Sequence, residues 1–161
     1  MKKSIDILQK IQIAIGGFFL AVFLITITFQ MFTRFASISA TWTEDITMYS
    51  FIWAVFMGAS AMVHEKAHFS FTSLSDNIKN PKVKKILAII IAFIMLFFSV
   101  LMAYYGVIIA KQFWNYTWVN LPQFKRGPTW LCIPIAGVTS AIYLLNQIVE
   151  DVRSILKGEV E

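Results

Sequence analysis

The chain has 161 residues, 58% of them hydrophobic and only 14% charged, with a mean hydropathy of +0.68. A water-soluble domain of this size needs far more polar surface, so the composition excludes one and points to an all-α integral membrane protein. The formal net charge is +5, but the basic residues are dispersed in loops beside apolar segments, which suits anionic lipid head groups and argues against nucleic acid as the partner.

Charge is segregated along the chain. Residues 11–33, 46–63, 86–110 and 127–149 carry none. Each stretch approaches or exceeds the roughly 20 residues a helix needs to cross a hydrocarbon core about 30 Å thick. Four transmembrane helices follow, in one domain over residues 1–161, since there is no internal repeat and no long linker. Lys2, Lys3, Lys10, Lys66, Lys79, Lys82, Lys84, Lys85, Arg153 and Lys157 fall on one side of such a topology. Arg34, Lys111, Lys125 and Arg126 fall on the other. The basic excess puts both termini and the middle loop in the cytoplasm.

In chain order, Ser4 can cap the first helix, with Asp6 near the positive end of its dipole. The apolar run that follows is too long for a signal-peptide core and has no A-x-A-like site, so it reads as a permanent span. Gly17 and Ala21 form a small-xxx-small pair that would let another helix approach closely. The Ser- and Thr-rich residues 35–41 read as a short outer turn. Thr41 and Glu44 have capping-box spacing, so the second helix should begin at Trp42, with the indole at head-group level. Ala54, Gly58 and Ala61 share one face of that helix and suggest close packing.

The span ends at a polar cluster with Lys66 and His68 at the membrane interface. Over residues 69–80, Phe71, Leu74 and Ile78 recur at helical spacing. This pattern fits a short interfacial helix, and a plain loop fits nearly as well. Asn80 and Pro81 form a cap and first-turn proline for the third helix, expected to reach about Tyr116. Small residues recur on it as Ala88 and Ala92, Ser99 and Ala103, Gly106 and Ala110. Trp114, Tyr116 and Trp118 mark an aromatic belt. Pro122, Gly127 and Pro128 punctuate the third loop, and Pro128 can open the fourth helix. Pro134 should kink that helix, and Gly137 with Ala141 offers another close-approach face. The helix should leave the bilayer near Asn146 and Gln147 and end at Gly158.

No Asp, Glu, Lys, Arg or His lies in the centre of any span. An ion-coupled carrier usually holds such groups near the midplane, so the chain alone is not expected to transport anything. Enzyme chemistry is equally unsupported. His64 and His68 are four residues apart and could share a zinc ion, but there is no third ligand nearby and no H-E-x-x-H motif. Haem would need ligands at depth. Cys132, the single cysteine, lacks a pairing base and reads as a small membrane hydrophobe. Neither cofactor nor metal is expected. Arg34, Glu44 and Asp45 form a mixed-charge corner on the outer side. It can pair internally across the turn, present a docking surface to another protein, or do both.

With these residues in place, the chain resembles the small membrane subunit (the Q-type, or small permease, component) of tripartite ATP-independent periplasmic transporters, the TRAP transporters. The resemblance covers nearly the whole chain. It rests on Arg34 ending the first span, W-x-E-E opening the second as Trp42, Glu44 and Asp45, and an aromatic-rich run with Trp53, Phe56, Gly58 and Ala59. Lys66 and His68 then close the pattern, and Trp130 and Pro134 form the W-x-x-x-P opening of the fourth span. Asp45 replaces the family's second Glu, and Lys66 stands where Arg is common, so a bidentate contact is not available there.

The resemblance implies a non-catalytic subunit of a sodium-driven symporter for organic acids, such as sialic acid or a C4-dicarboxylate, in the bacterial inner membrane. It implies two partners: a large elevator-type membrane subunit that holds the substrate and sodium sites, and a periplasmic substrate-binding protein that could reach the corner at Arg34, Trp42, Glu44 and Asp45 and the loop at Lys125 and Arg126. A self-associating four-helix exporter is the alternative, and it would require a membrane-embedded acidic residue.

Overall fold

The structure, a computed structural model, describes residues 2–65 and 81–157. Among the described residues five helices form: α1 (Lys2–Phe35), α2 (Trp42–His64), α3 (Pro81–Gln112), α4 (Gly127–Trp130) and α5 (Cys132–Lys157). α1, α2, α3 and the nearly continuous pair α4–α5 are long and apolar enough to cross a membrane. The fold is thus an all-α transmembrane one. The expected interfacial helix over residues 69–80, its neighbours Lys66 and His68, the Asn80 cap and the stop at Gly158 lie outside the described residues.

The helices form a row. α1 packs on α2, α2 on α5 and α5 on α3. The burial pattern follows from that order: half of the most apolar stretch of α4–α5 is buried and 44% of that of α2, but only 11% of those of α1 and α3. At 1.5 Å per residue, α1 and α3 are about 50 Å long, so both tilt or project beyond a core of about 30 Å.

α1 meets α2 along a narrow seam. Ile5, Gln9, Gln12, Gly16 and Thr33 are buried, and Phe19, Phe23, Thr26 and Gln30 are half-buried. These positions alternate in steps of four and three, the 3.5-residue period of a left-handed coiled pair. Phe19 stacks on Trp53 with ring centroids 5.1 Å apart, and Phe23 meets Phe51 at 5.1 Å. The close approach expected at Gly17 and Ala21 occurs one residue earlier. A Cβ on Gly16 would sit 3.4 Å from Met57 Cβ and from the Gly58 nitrogen, whereas one on Gly17 would meet nothing within 4 Å. Gly17 and Ala21 are on the exposed side. One residue is a 100° rotation, enough to leave the seam.

α3 and α5 are in closer contact. A Cβ on Gly137 would come within 2.6 Å of the Ala103 nitrogen and 2.9 Å of the Ser99 carbonyl oxygen. Pro134 seats its ring on Gly106, where a Cβ would be 2.8 Å away. The helix break lies at Leu131, one turn before Pro134, because the proline cannot donate back to Trp130. Of the small residues on α3, Ala92, Ser99, Gly106 and Ala110 are buried, and Ala88 is exposed.

Several helix ends differ from expectation. α1 begins at Lys2, so Ser4 lies inside its first turn and not ahead of it. It closes in a Schellman motif: Ile38 N–H donates to Thr33 O (2.8 Å), Ser37 N–H to Arg34 O (3.2 Å), and Ser37 takes φ 56°. α2 begins at Trp42 as expected, but no capping box forms. The Thr41 backbone is already helical, and its side chain makes no cap bond. α3 ends at Gln112, short of Tyr116.

Candidate functional site

The sequence places its mixed-charge corner at the end of the bundle opposite the chain termini, and the structure divides that corner in two. Arg34 and Glu44 are both well exposed, and Nη2 and Oε1 are 3.4 Å apart. Trp42 beside them is also exposed, its ring 5.8 Å from Phe29. Asp45 is different. Only 4% of it is accessible, and its Oδ2 accepts the backbone N–H of Asn120 at 2.6 Å. The second carboxylate of the motif therefore points inward. Successive helix residues are 100° apart, so Glu44 and Asp45 cannot both face solvent once α2 is flanked by neighbours.

The partner of Asp45 belongs to the loop between α3 and α4, residues 113–126. A single antiparallel bridge, Thr117 with Lys125, folds this loop back on itself. Trp118 N–H donates to Phe124 O (3.0 Å) and Arg126 N–H to Tyr116 O (2.8 Å). Aromatic rings fasten it to the bundle. Trp118 lies over Tyr49 of α2 with centroids 4.7 Å apart, Phe124 covers Trp118 at 5.3 Å, and Phe113 meets Trp130 at 5.9 Å. Trp118 Nε1–H also donates to Thr129 Oγ1 (3.2 Å). A Cβ on Gly127 would strike Trp114 at 2.6 Å, so the turn into α4 needs glycine. Lys125 is exposed and Arg126 half-buried. Among the described residues, Arg126 Nε and Trp130 Nε1 are buried without an acceptor.

A second polar region sits toward the termini end, inside the bundle. Gln12 Nε2 donates to Thr139 Oγ1 (2.8 Å) and lies 3.2 Å from Ser60 Oγ. The Tyr143 hydroxyl donates to Gln12 Oε1. Ser60 and Thr139 hydroxyls share a 2.7 Å bond, and Ser140 Oγ donates to Ser60. The cluster ties α1, α2 and α5 together, and its groups are spent on one another. Closer to the termini, Asp6 Oδ1 is 3.2 Å from His64 Nε2, and Gln9 Nε2 donates to Glu65 Oε1 at 2.6 Å. Gln147 Nε2–H donates to the carbonyl of Val63 at the end of α2 (2.7 Å), which also takes the Glu65 backbone N–H. Among the described residues no group of three or more His, Cys, Asp or Glu is placed to hold a metal ion. Cys132 is fully buried and donates to Thr129 O at 3.3 Å.

The sequence reading singled out neither Gln12 nor Ser60, Thr139 and Tyr143. A signal existed in Ile5, Gln9, Gln12 and Gly16, whose helical spacing puts two amides on one line of an otherwise apolar helix. Amides on such a line face protein, since lipid offers them no partner. Ala54 and Ala61 are buried on α2, and Gly58 lies beside Gly16. The broad outer faces of α1 and α3 remain uncovered, with Phe18, Ile25, Phe32, Phe97 and Phe98 all more than 60% exposed.

Known proteins are consistent with this picture. The family model described as "Tripartite ATP-independent periplasmic transporters, DctQ component" matches residues 22–154. A Haemophilus influenzae protein assigned as a TRAP transporter small permease is 30% identical over 125 residues, covering 74% of this chain and 73% of the relative.

Proposed function

This chain belongs to the DctQ component family of tripartite ATP-independent periplasmic transporters, and from that premise we propose that it is the non-catalytic subunit that holds the large membrane subunit of such a system in place. In this reading it lies in the bacterial inner membrane with both termini cytoplasmic. The assembled system takes up an organic acid of the sialic acid or C4-dicarboxylate type with sodium. The loop end meets a periplasmic substrate-binding protein through Arg34, Trp42, Glu44, Lys125 and Arg126.

The observation that carries the reading is the state of the polar groups inside the bundle. Gln12, Ser60, Thr139, Ser140 and Tyr143 bond to one another across three helices. Carrying a charged solute would demand groups that exchange partners with it. The exposed apolar faces of α1 and α3 support the scaffold role, since they offer large surfaces to a membrane-embedded partner.

Reconstitution tests it. Liposomes containing this chain alone should accumulate no organic acid. Addition of the large subunit, the binding protein and a sodium gradient should start uptake. Uptake by the chain alone would overturn the reading.

A further inference from the structure

Asp45 is the one buried carboxylate at the loop end, and it sits beside a carboxylate, Glu44, that is open to solvent. A soluble partner can reach Glu44 but not Asp45. What Asp45 touches is the backbone of the 113–126 loop. A loop of that length with one bridge does not hold a shape by itself, because an isolated hairpin is at best marginal in water. Here it is held from below by two contacts with α2: the charge-assisted bond from Asn120 to Asp45 and the Trp118 ring on Tyr49.

The loop presents Val119 (70% exposed), Tyr116 and Phe124 outward together with Lys125. Exposed charge at this end is basic, since Lys111 and Lys125 are both open and Arg34 and Glu44 largely cancel each other. Such a surface, apolar with basic edges, fits an acidic patch on a soluble protein.

We infer that Asp45 is a positioning residue: its carboxylate clamps the Asn120 backbone and so keeps the 113–126 loop preformed as the contact surface for the acidic face of the soluble binding protein. The inference rests on the reading of the chain as an accessory subunit served by such a protein. A loop that is ordered before contact loses less freedom on binding, so releasing it weakens docking without touching transport itself.

The test uses the complete reconstituted transporter and follows uptake against binding-protein concentration. Asp45→Asn removes the charge. Asn120→Pro removes the N–H from the other side, with Asn120→Ala as the control that keeps it. Both test variants should raise the half-saturating binding-protein concentration about tenfold at an unchanged maximal rate. The double variant should be no worse than either single one, and Asn120→Ala should behave as the unaltered protein. A defect in Asp45→Asn alone would overturn the inference by showing that the side chain meets the partner directly. Unchanged half-saturation in both, or a fall in maximal rate only, would overturn it as well. If Asp45→Asn does not assemble, Asn120→Pro decides. Should the unaltered transporter need no binding protein, the accessory-subunit reading itself fails, which is a distinguishable result.

Discussion

Gly137 of α5 lies so close to α3 that a methyl group on its Cα would come within 2.6 Å of the Ala103 backbone nitrogen. Neither backbone can yield without moving a whole helix, and Pro134 with Gly106 repeats the constraint about one turn away along α3. Gly137→Ala should therefore lower stability by about 1–3 kcal/mol, the usual cost of overpacking. Gly17→Ala should cost nothing and gain up to about 1 kcal/mol from helix propensity. Thermal unfolding of the two variants in the same detergent checks the contrast, and equal losses would contradict the assigned helix faces.

The bond between Gln12 and Tyr143 joins α1 to α5 across the row. Gln12→Leu should destabilise by about 1 kcal/mol, because it strands the Tyr143 hydroxyl in an apolar interior and takes a donor away from Thr139. Tyr143→Phe made in addition should recover part of that loss. A double-mutant cycle measures the coupling, and strict additivity would show that the two side chains do not interact.

Glu44 and Asp45 are adjacent in sequence and opposite in consequence. Glu44→Gln breaks an exposed pair and should change stability by less than about 1 kcal/mol. Asp45→Ala leaves the Asn120 N–H without its charged acceptor and should cost about 1.5–3 kcal/mol. Amide hydrogen exchange over residues 113–126 should rise in the second variant only.

Ser37 holds a left-handed backbone at the end of α1 with φ 56°. Ser37→Gly should stabilise the turn by about 1 kcal/mol, since glycine adopts this region without a Cβ penalty. A lower melting temperature would mean that the side chain has a role the backbone geometry does not reveal.

Cys132, the single cysteine, is fully buried at the start of α5, in a cluster with Met57 of α2 and Ala136. A water-soluble maleimide should leave it unmodified in the folded protein and label it on unfolding. Rapid labelling under native conditions would require the packing of α5 on α2 to open.

The number of spans, their boundaries to within a few residues and the family were legible in the residues alone. The bilayer imposes those features locally: a fixed apolar thickness, charges at the ends, and a proline or a polar turn wherever a helix stops. The start of α2 at Trp42 is expected from the capping-box spacing of Thr41 and Glu44, and it holds although the capping bond of Thr41 does not form.

The tertiary structure decided which way each helix turns. Gly16 or Gly17, Glu44 or Asp45, a saturated cluster around Gln12 or scattered polar residues: each is a choice of rotation about a helix axis. A lipid tail and a neighbouring helix are almost equally apolar, so hydropathy does not tell a lipid-facing side from a packed one. That choice rests on contacts between residues as far apart as Asp45 and Asn120, or Gln12 and Tyr143, and these exist only once the helices are assembled.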